Sequence, residues 1–241
     1  MKIFIYLLIL FTLNSHSQDN ILRIEYDFNL SIGQYQQYKS TLYINKESSL
    51  FLWKKPNTDN NYEDENNIVV NLNKLDSLGA FNYRLLSKDS LYSRMVYLKK
   101  EIILLEEKTP KIDWQIKKEQ KKIGAYNCQK AIANFRGRKY IAWFTKDIPI
   151  NAGPWKLQGL PGLILEAHDT LSEIVFSVSS ISKTNYKINP SLIADKIINL
   201  EDYKEIKKTG LTNFIKKFKT KFQRGVEVKI TSTKQGMEIF E

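Results

Sequence analysis

Polar and apolar residues alternate cleanly from Ile21 to Leu30: Leu22, Ile24, Tyr26, Phe28 and Leu30 share one side, and Arg23, Glu25, Asp27 and Asn29 share the other. Side chains of a strand point to opposite faces in turn, so this pattern predicts a strand with one buried face. Ser40–Asn45 and Ser48–Lys54 read as a hairpin around Lys46 and Glu47. Further strands are expected over Leu91–Leu98, Glu101–Glu107, Asp113–Glu119, Tyr126–Phe135, Arg138–Thr145, Gly162–His168, Glu173–Ile181 and Gly225–Thr231. Short strands joined by tight turns, such as Phe135-Arg136-Gly137-Arg138, predict a mainly β (α+β) fold. The architecture expected is a curved antiparallel sheet or half-barrel meander with one or two C-terminal helices packed against it.

The period changes after Pro190. Ser191 is placed to cap a short turn, and Asn199 to cap a helix running to Lys208. Beyond Gly210, Leu211, Phe214, Ile215, Phe218 and Phe222 recur at helical spacing, with Lys216, Lys217, Lys219 and Lys221 between them. The expected arrangement is an apolar stripe packed on the sheet with its lysines in water. A weak contact of those lysines with an anionic membrane surface is the sharper alternative. The segment Pro56–Asn67 is polar and turn-rich; its acids lack the spacing of a calcium loop.

The first residues change how the remainder is read. Lys2, the apolar run Ile3–Leu13 and the small residues Ser15 and Ser17 form a signal peptide over residues 1–17, too short to span a bilayer. Residues 18–241 then form one β-rich domain, exported to the periplasm or the medium. With Cys128 the only cysteine, no internal disulfide is available to it. The formal net charge of +11 would suggest nucleic acid in a cytoplasmic protein, but an exported chain does not meet it. A solubilising surface is the plain reading of the surplus, and phosphorylated lipid headgroups, anionic glycans or an acidic partner are the alternative.

The candidate chemistry is sparse. His168 is the only histidine outside the signal segment, which excludes multi-histidine metal centres, and no glycine-rich phosphate loop is present. No metal and no cofactor are therefore expected. Glu166 and His168 fall on one face of a strand, with Asp169 next to them. Cys128 lies in a strand-like stretch, where a buried thiol is the plain assignment. A Cys128–His168 couple is the one nucleophile–base pairing the sequence offers. The unusual segment is Gly153–Asp169, GPWKLQGLPGLILEAHD, whose run from Leu157 to Leu165 carries no charge. Leu160-Pro161-Gly162-Leu163 fits a type II turn with positive φ at Gly162. Its leucines must be covered, so the segment is expected to fold over the β-core with Trp155 as anchor.

Gly159-Leu160-Pro161-Gly162-Leu163-Ile164 resembles the signature of the GLPGLI family of exported proteins of Gram-negative bacteria. The likeness extends through Tyr126–Ala131, Phe135–Arg138, Tyr140–Thr145, Asp147–Pro149 and Gly153-Pro154. It covers residues 112–181 well and the rest loosely. It implies a secreted or periplasmic protein of unestablished role and supplies no catalytic residues. The order of elements over residues 138–181 is also similar to the periplasmic lipoprotein carriers of the Lol system, whose half-barrel encloses a lipid. That analogy implies a concave surface lined by Trp53, Trp114, Trp143 and Trp155. The expected function is a non-catalytic cell-envelope protein that binds a hydrophobic small molecule, a lipid or an outer-membrane protein. The alternatives are a secreted hydrolase using Cys128 or His168, and a purely structural interaction domain.

Overall fold

A computed structural model describes residues 21–32, 35–54, 78–97, 101–219 and 236–240. The predicted loop Pro56–Asn67, Phe222 and the predicted strand Gly225–Thr231 lie outside the described residues, as does the expected signal segment.

Twelve strands form one sheet: β1 (Ile21–Leu30), β2 (Gln36–Ile44), β3 (Ser48–Lys54), β4 (Ala80–Leu85), β5 (Ser90–Tyr97), β6 (Glu101–Lys108), β7 (Gln115–Ile123), β8 (Tyr126–Phe135), β9 (Arg138–Thr145), β10 (Leu163–Asp169), β11 (Ile174–Thr184) and β12 (Lys196–Ile198). The spatial order is β12-β6-β5-β4-β3-β2-β1-β11-β10-β9-β8-β7. Neighbours pair antiparallel except β12, which runs parallel to β6. The sheet is not closed into a barrel: β12 and β7 are its edges. β7 carries Lys117, Lys118, Lys121 and Lys122, and lysines on an edge strand discourage pairing with another chain. Part of the basic surplus is thus accounted for by the fold.

The strands expected among the described residues are found, with β1, β3, β8 and β9 at the predicted bounds. Two strands were not predicted, β4 and the three-residue β12. In β4, Phe81 and Tyr83 do alternate with Asn82 and Arg84, but it is the polar pair that faces inward: Asn82 and Arg84 are 3% and 7% exposed. A single helix, α1 (Leu200–Lys219), replaces the two expected segments and runs through Gly210. A helical glycine costs about 1 kcal/mol relative to alanine, which one position does not turn into a break. Asn199 caps it as expected, its Oδ1 accepting from the Asp202 N–H at 2.9 Å. Leu200, Tyr203 and Ile206 pack against Ile103, Leu105 and Ile198. The side chains of Leu211, Phe214, Ile215 and Phe218, the predicted apolar stripe, are not among those described.

The principal core lies on the inner face, where Tyr26, Phe28 and Phe51 from one half of the sheet meet Tyr140, Phe144 and Phe176 from the other. The segment between β9 and β10 enters this space. Ala152, Trp155, Leu157 and Leu160 are all buried, and the Tyr26 hydroxyl donates to the Ile164 carbonyl at 2.7 Å. The outer face over β3–β6 has its own cluster, in which Leu50, Phe81 and Leu104 are covered by Ile188 and Ala194 of the connection to β12.

The turn before β10 differs from expectation. Positive φ falls at Gly159 (101°) and Trp155 (56°), not at Gly162. Gly162 is needed for another reason: a Cβ there would lie 2.0 Å from the Thr145 carbonyl oxygen, a backbone atom of the neighbouring strand. Gly162→Ala is therefore expected to lower stability by about 2–3 kcal/mol through overpacking. Gly124, with φ +56° and no atom within 4 Å of the added Cβ, is expected to cost only about 1 kcal/mol on the same change. Equal denaturation midpoints for the two variants would refute this account.

Candidate functional site

On the outer face of β7–β10, cross-strand pairing assembles most of the polar candidates. The register aligns Lys130, Trp143 and Glu166 in one row across β8, β9 and β10. Lys121, opposite Cys128 on the edge strand, reaches over this row. Its ammonium stands 4.6 Å from the Trp143 ring centre and pairs with the Glu166 carboxylate. Glu119 approaches Lys130 at 3.4 Å. His168 lies two residues beyond Glu166 on the same face, opposite Ile141, and is half-buried. One strand repeat separates the two side chains, on the order of 7 Å. The His168 Nδ1–H donates to the Asp169 carbonyl at 2.9 Å, which leaves Nε2 as the acceptor.

Asp169, the next residue, points the other way and is 1% exposed. Its Oδ2 lies 2.6 Å from the Arg138 guanidinium, and its Oδ1 accepts from the N–H groups of Glu173 and Ile174 at 2.8 and 3.1 Å. It thereby holds the β10–β11 turn, in which Ser172 adopts φ 55°. Cys128 is 1% exposed, and burial followed by the Glu166 charge pushes its thiol up to about 11. The residue of β8 in the His168 row is Ile132, four positions from Cys128, or ~13 Å along the strand. No Cys128–His168 couple forms. Among the described residues, no group of three or more His, Cys, Asp or Glu is placed to hold a metal ion.

The tryptophans do not share one surface. Trp53 joins Phe28 and Phe51 in the inner core, and Trp155 packs there on Phe135 and Tyr140 at ring distances of 5.6 and 6.1 Å. Trp114 is half-buried in the loop before β7, where its Nε1–H donates to the Gln158 carbonyl at 2.7 Å. Trp143 is on the outer face. Of the motif, Leu160, Leu163 and Ile164 are fully buried, Pro161 is exposed, and Gly159 lies against the Trp114 indole.

A charged cluster that the sequence reading did not find lies on the inner side. Lys156, 4% exposed, sits 2.7 Å from Glu107 and 2.9 Å from Glu238. Arg136 pairs with Glu107 and lies 3.4 Å from Glu238, and Tyr203 bonds to Glu238 as well. Arg136 and Gly137 have φ of 49° and 73°, the left-handed pair of a tight hairpin turn. Residues 236–240 lie over this turn, with the Ile239 N–H donating to the Arg136 carbonyl at 2.9 Å. Its members come from positions 107, 136, 156, 203 and 238, so no local motif announces it; the one visible sign was a lysine beside a nine-residue charge-free run.

A family model described as "Protein of unknown function (Porph_ging)" matches residues 136–166, which span β9 and the buried segment. Two solved structures of PNGF-II, in different crystal forms, resemble the chain with a TM-score of 0.54 each, at 19% and 20% identity. Each match covers 78% of this chain, and 33% or 32% of the other, so the chain spans about a third of the length of these relatives. No curated protein matches it. These findings correct two expectations. The matching family model and the similar structures are neither the GLPGLI family nor a Lol-type carrier. The likeness of fold to PNGF-II also displaces the expectation of a non-catalytic envelope protein binding an apolar ligand or an outer-membrane partner.

Two outcomes follow for these sites. Iodoacetamide at pH 8 is expected to alkylate native Cys128 at least 100-fold more slowly than the unfolded chain, because a thiol near 11 is about 0.1% thiolate there. Comparable rates would show an accessible, activated cysteine. For the inner cluster, burial alone would raise the Glu238 carboxyl, but Lys156 and Arg136 outweigh it and hold it below the ordinary carboxylate range. A depressed carboxylate adds stability that is complete above its unfolded value and is lost as pH falls through the folded one. Lys156→Met is expected to cost about 3–5 kcal/mol at neutral pH. That gap should narrow as pH falls through the folded value; a pH-independent gap in chemical denaturation would contradict the assignment.

Proposed function

We propose that the chain is an exported hydrolase whose reaction centre is the outer face of β10, with His168 as general base and Cys128 uninvolved. The single observation that carries this reading is the placement of His168, whose Nδ1 lies 2.9 Å from the Asp169 carbonyl oxygen. Its Nδ1–H is held by the Asp169 carbonyl, so Nε2 is free to take a proton from water, on the face that also bears Glu166. The Lys121 ammonium, positioned over Trp143, lies on the same side and suits the negative charge that develops on a carbonyl oxygen under attack. Attack by water forms the new C–O bond, Nε2 accepts the water proton, and the imidazolium returns it to the leaving group as the bond between that group and the carbonyl carbon breaks. The PNGF-II fold likeness supports a hydrolytic class without specifying a substrate. Export is supported by Lys2, the Ile3–Leu13 run and the small residues after it.

The test is hydrolysis of a chromogenic panel of esters and anilides by the purified chain, with folding followed by circular dichroism. His168→Ala is expected to lower turnover by about 10²–10⁴-fold while the fold persists, and Cys128→Ser to leave it unchanged. A folded His168→Ala protein with full turnover, or a wild type that cleaves nothing on the panel, would overturn the proposal.

A further inference from the structure

β4 turns its polar residues toward the inner face. Its register places Arg84 opposite Ser49 of β3 and Leu91 of β5, and Asn82 opposite Phe51 and Ser93. Hence the inner surface of β3–β5 is studded with Ser49, Asn82, Arg84 and Ser93, all less than a tenth exposed, in a place where the other half of the sheet presents only apolar groups and its paired charges. The entering segment does not seal against them. Between it and the sheet lies a cavity of about 20 Å³, bounded by Asn82, Arg84, Thr109, Gln158 and the apolar walls Phe51 and Trp155. That is room for one or two water-sized groups.

The donors around this cavity have spare capacity. Arg84 spends one Nη2–H on the Asn151 carbonyl at 2.7 Å, but its Nε has no hydrogen-bond partner on the protein. The same holds for Asn82 Nδ2 and Thr109 Oγ1, both lining the cavity. Each such group left unpaired in the interior costs roughly 1–3 kcal/mol. The guanidinium also has no carboxylate within ion-pair distance among the described residues; Lys156, the other cation at the cavity, is already engaged by Glu107 and Glu238. Burial accordingly lowers the Arg84 value, and the more distant Asp89 offsets only part of that. Arg84 further borders the open groove beside Pro149, Ile150 and Asn151, so the cavity lies one side chain from solvent.

We propose that this cavity is a binding site for a small oxyanion of formate size, held by Arg84 Nε, Asn82 Nδ2 and the Thr109 hydroxyl. Two N–H donors and a hydroxyl from residues lining one cavity, one of them a cation with no ion-pair partner among the described residues, suit an acceptor that carries negative charge. A neutral molecule would satisfy the hydrogen bonds and leave the charge. A larger anion would not fit. The site stands on the opposite face of the sheet from His168, so its existence does not depend on the hydrolase reading.

The experiment is thermal unfolding of the full chain in sodium formate, with sodium fluoride at matched ionic strength and formamide as controls. Formate is expected to raise Tm in a saturable way, beyond both controls. Thr109→Val, which keeps the fold's charges, is expected to weaken the apparent formate affinity at least 5-fold, and Arg84→Met to abolish it. Should Arg84→Met fail to fold, the Thr109→Val shift still decides. Equal, non-saturating stabilisation by formate and fluoride would overturn the proposal. So would formamide matching formate, which would mark a site for neutral groups or water. A Thr109→Val protein that responds to formate like the wild type would also overturn it.

Discussion

The interior depends on one constraint: the irregular connection between β9 and β10 carries residues 152–157 and Leu160 into the hollow of the sheet, where peptide groups are cut off from water. Such a segment is tolerable only if its polar atoms are matched. The matches are found. Leu163 and Ile164 donate to the carbonyls of Ile148 and Ala152, Leu157 donates to Pro154, and Arg84, Trp114 and Tyr26 each donate a side-chain hydrogen to a carbonyl of the segment or of the strand that follows it. Lys156, carried into the same space, requires two carboxylates and receives them. The apolar residues supply the driving force, but the hydrogen bonds decide where the segment sits.

This arrangement accounts for what could be read from the sequence. The strands of the second half were legible because β8 and β9 alternate between a core face and a wet one, and Glu166 and His168 could be assigned to one face by counting alone. That the segment would cover the β-core was legible too, since the leucines of the charge-free run Leu157–Leu165 must be buried, but its entry into the hollow of the sheet was not. The role of Gly162 was not, because the close approach of the Thr145 carbonyl is a fact about a neighbouring strand. Nor was β4: its pattern is that of a strand, but with Asn82 and Arg84 on the side where apolar residues are expected.

The candidate site divides in the same way. Residues close in sequence on β10 were found, whereas their partners Lys121 and Arg138 depended on pairing across β7–β10. Asp169 looked like a companion to His168 and is instead the organiser of a turn on the opposite face. Adjacency along a strand separates side chains rather than joining them. Cys128 and His168, the most tempting couple on paper, are kept apart by four positions of register.

The cluster around Lys156 has a consequence for the order in which the molecule is built. Glu107, Arg136 and Lys156 lie within one stretch of chain, but Glu238 comes 82 residues after Lys156, beyond the whole of α1. Until that residue arrives, a surplus of positive charge is left in a site poor in water. This end of the site is therefore complete only when residues 236–240 dock on it. Contacts of such long sequence separation are slow to form. A state without that contact leaves the hairpin turn at Arg136 uncovered.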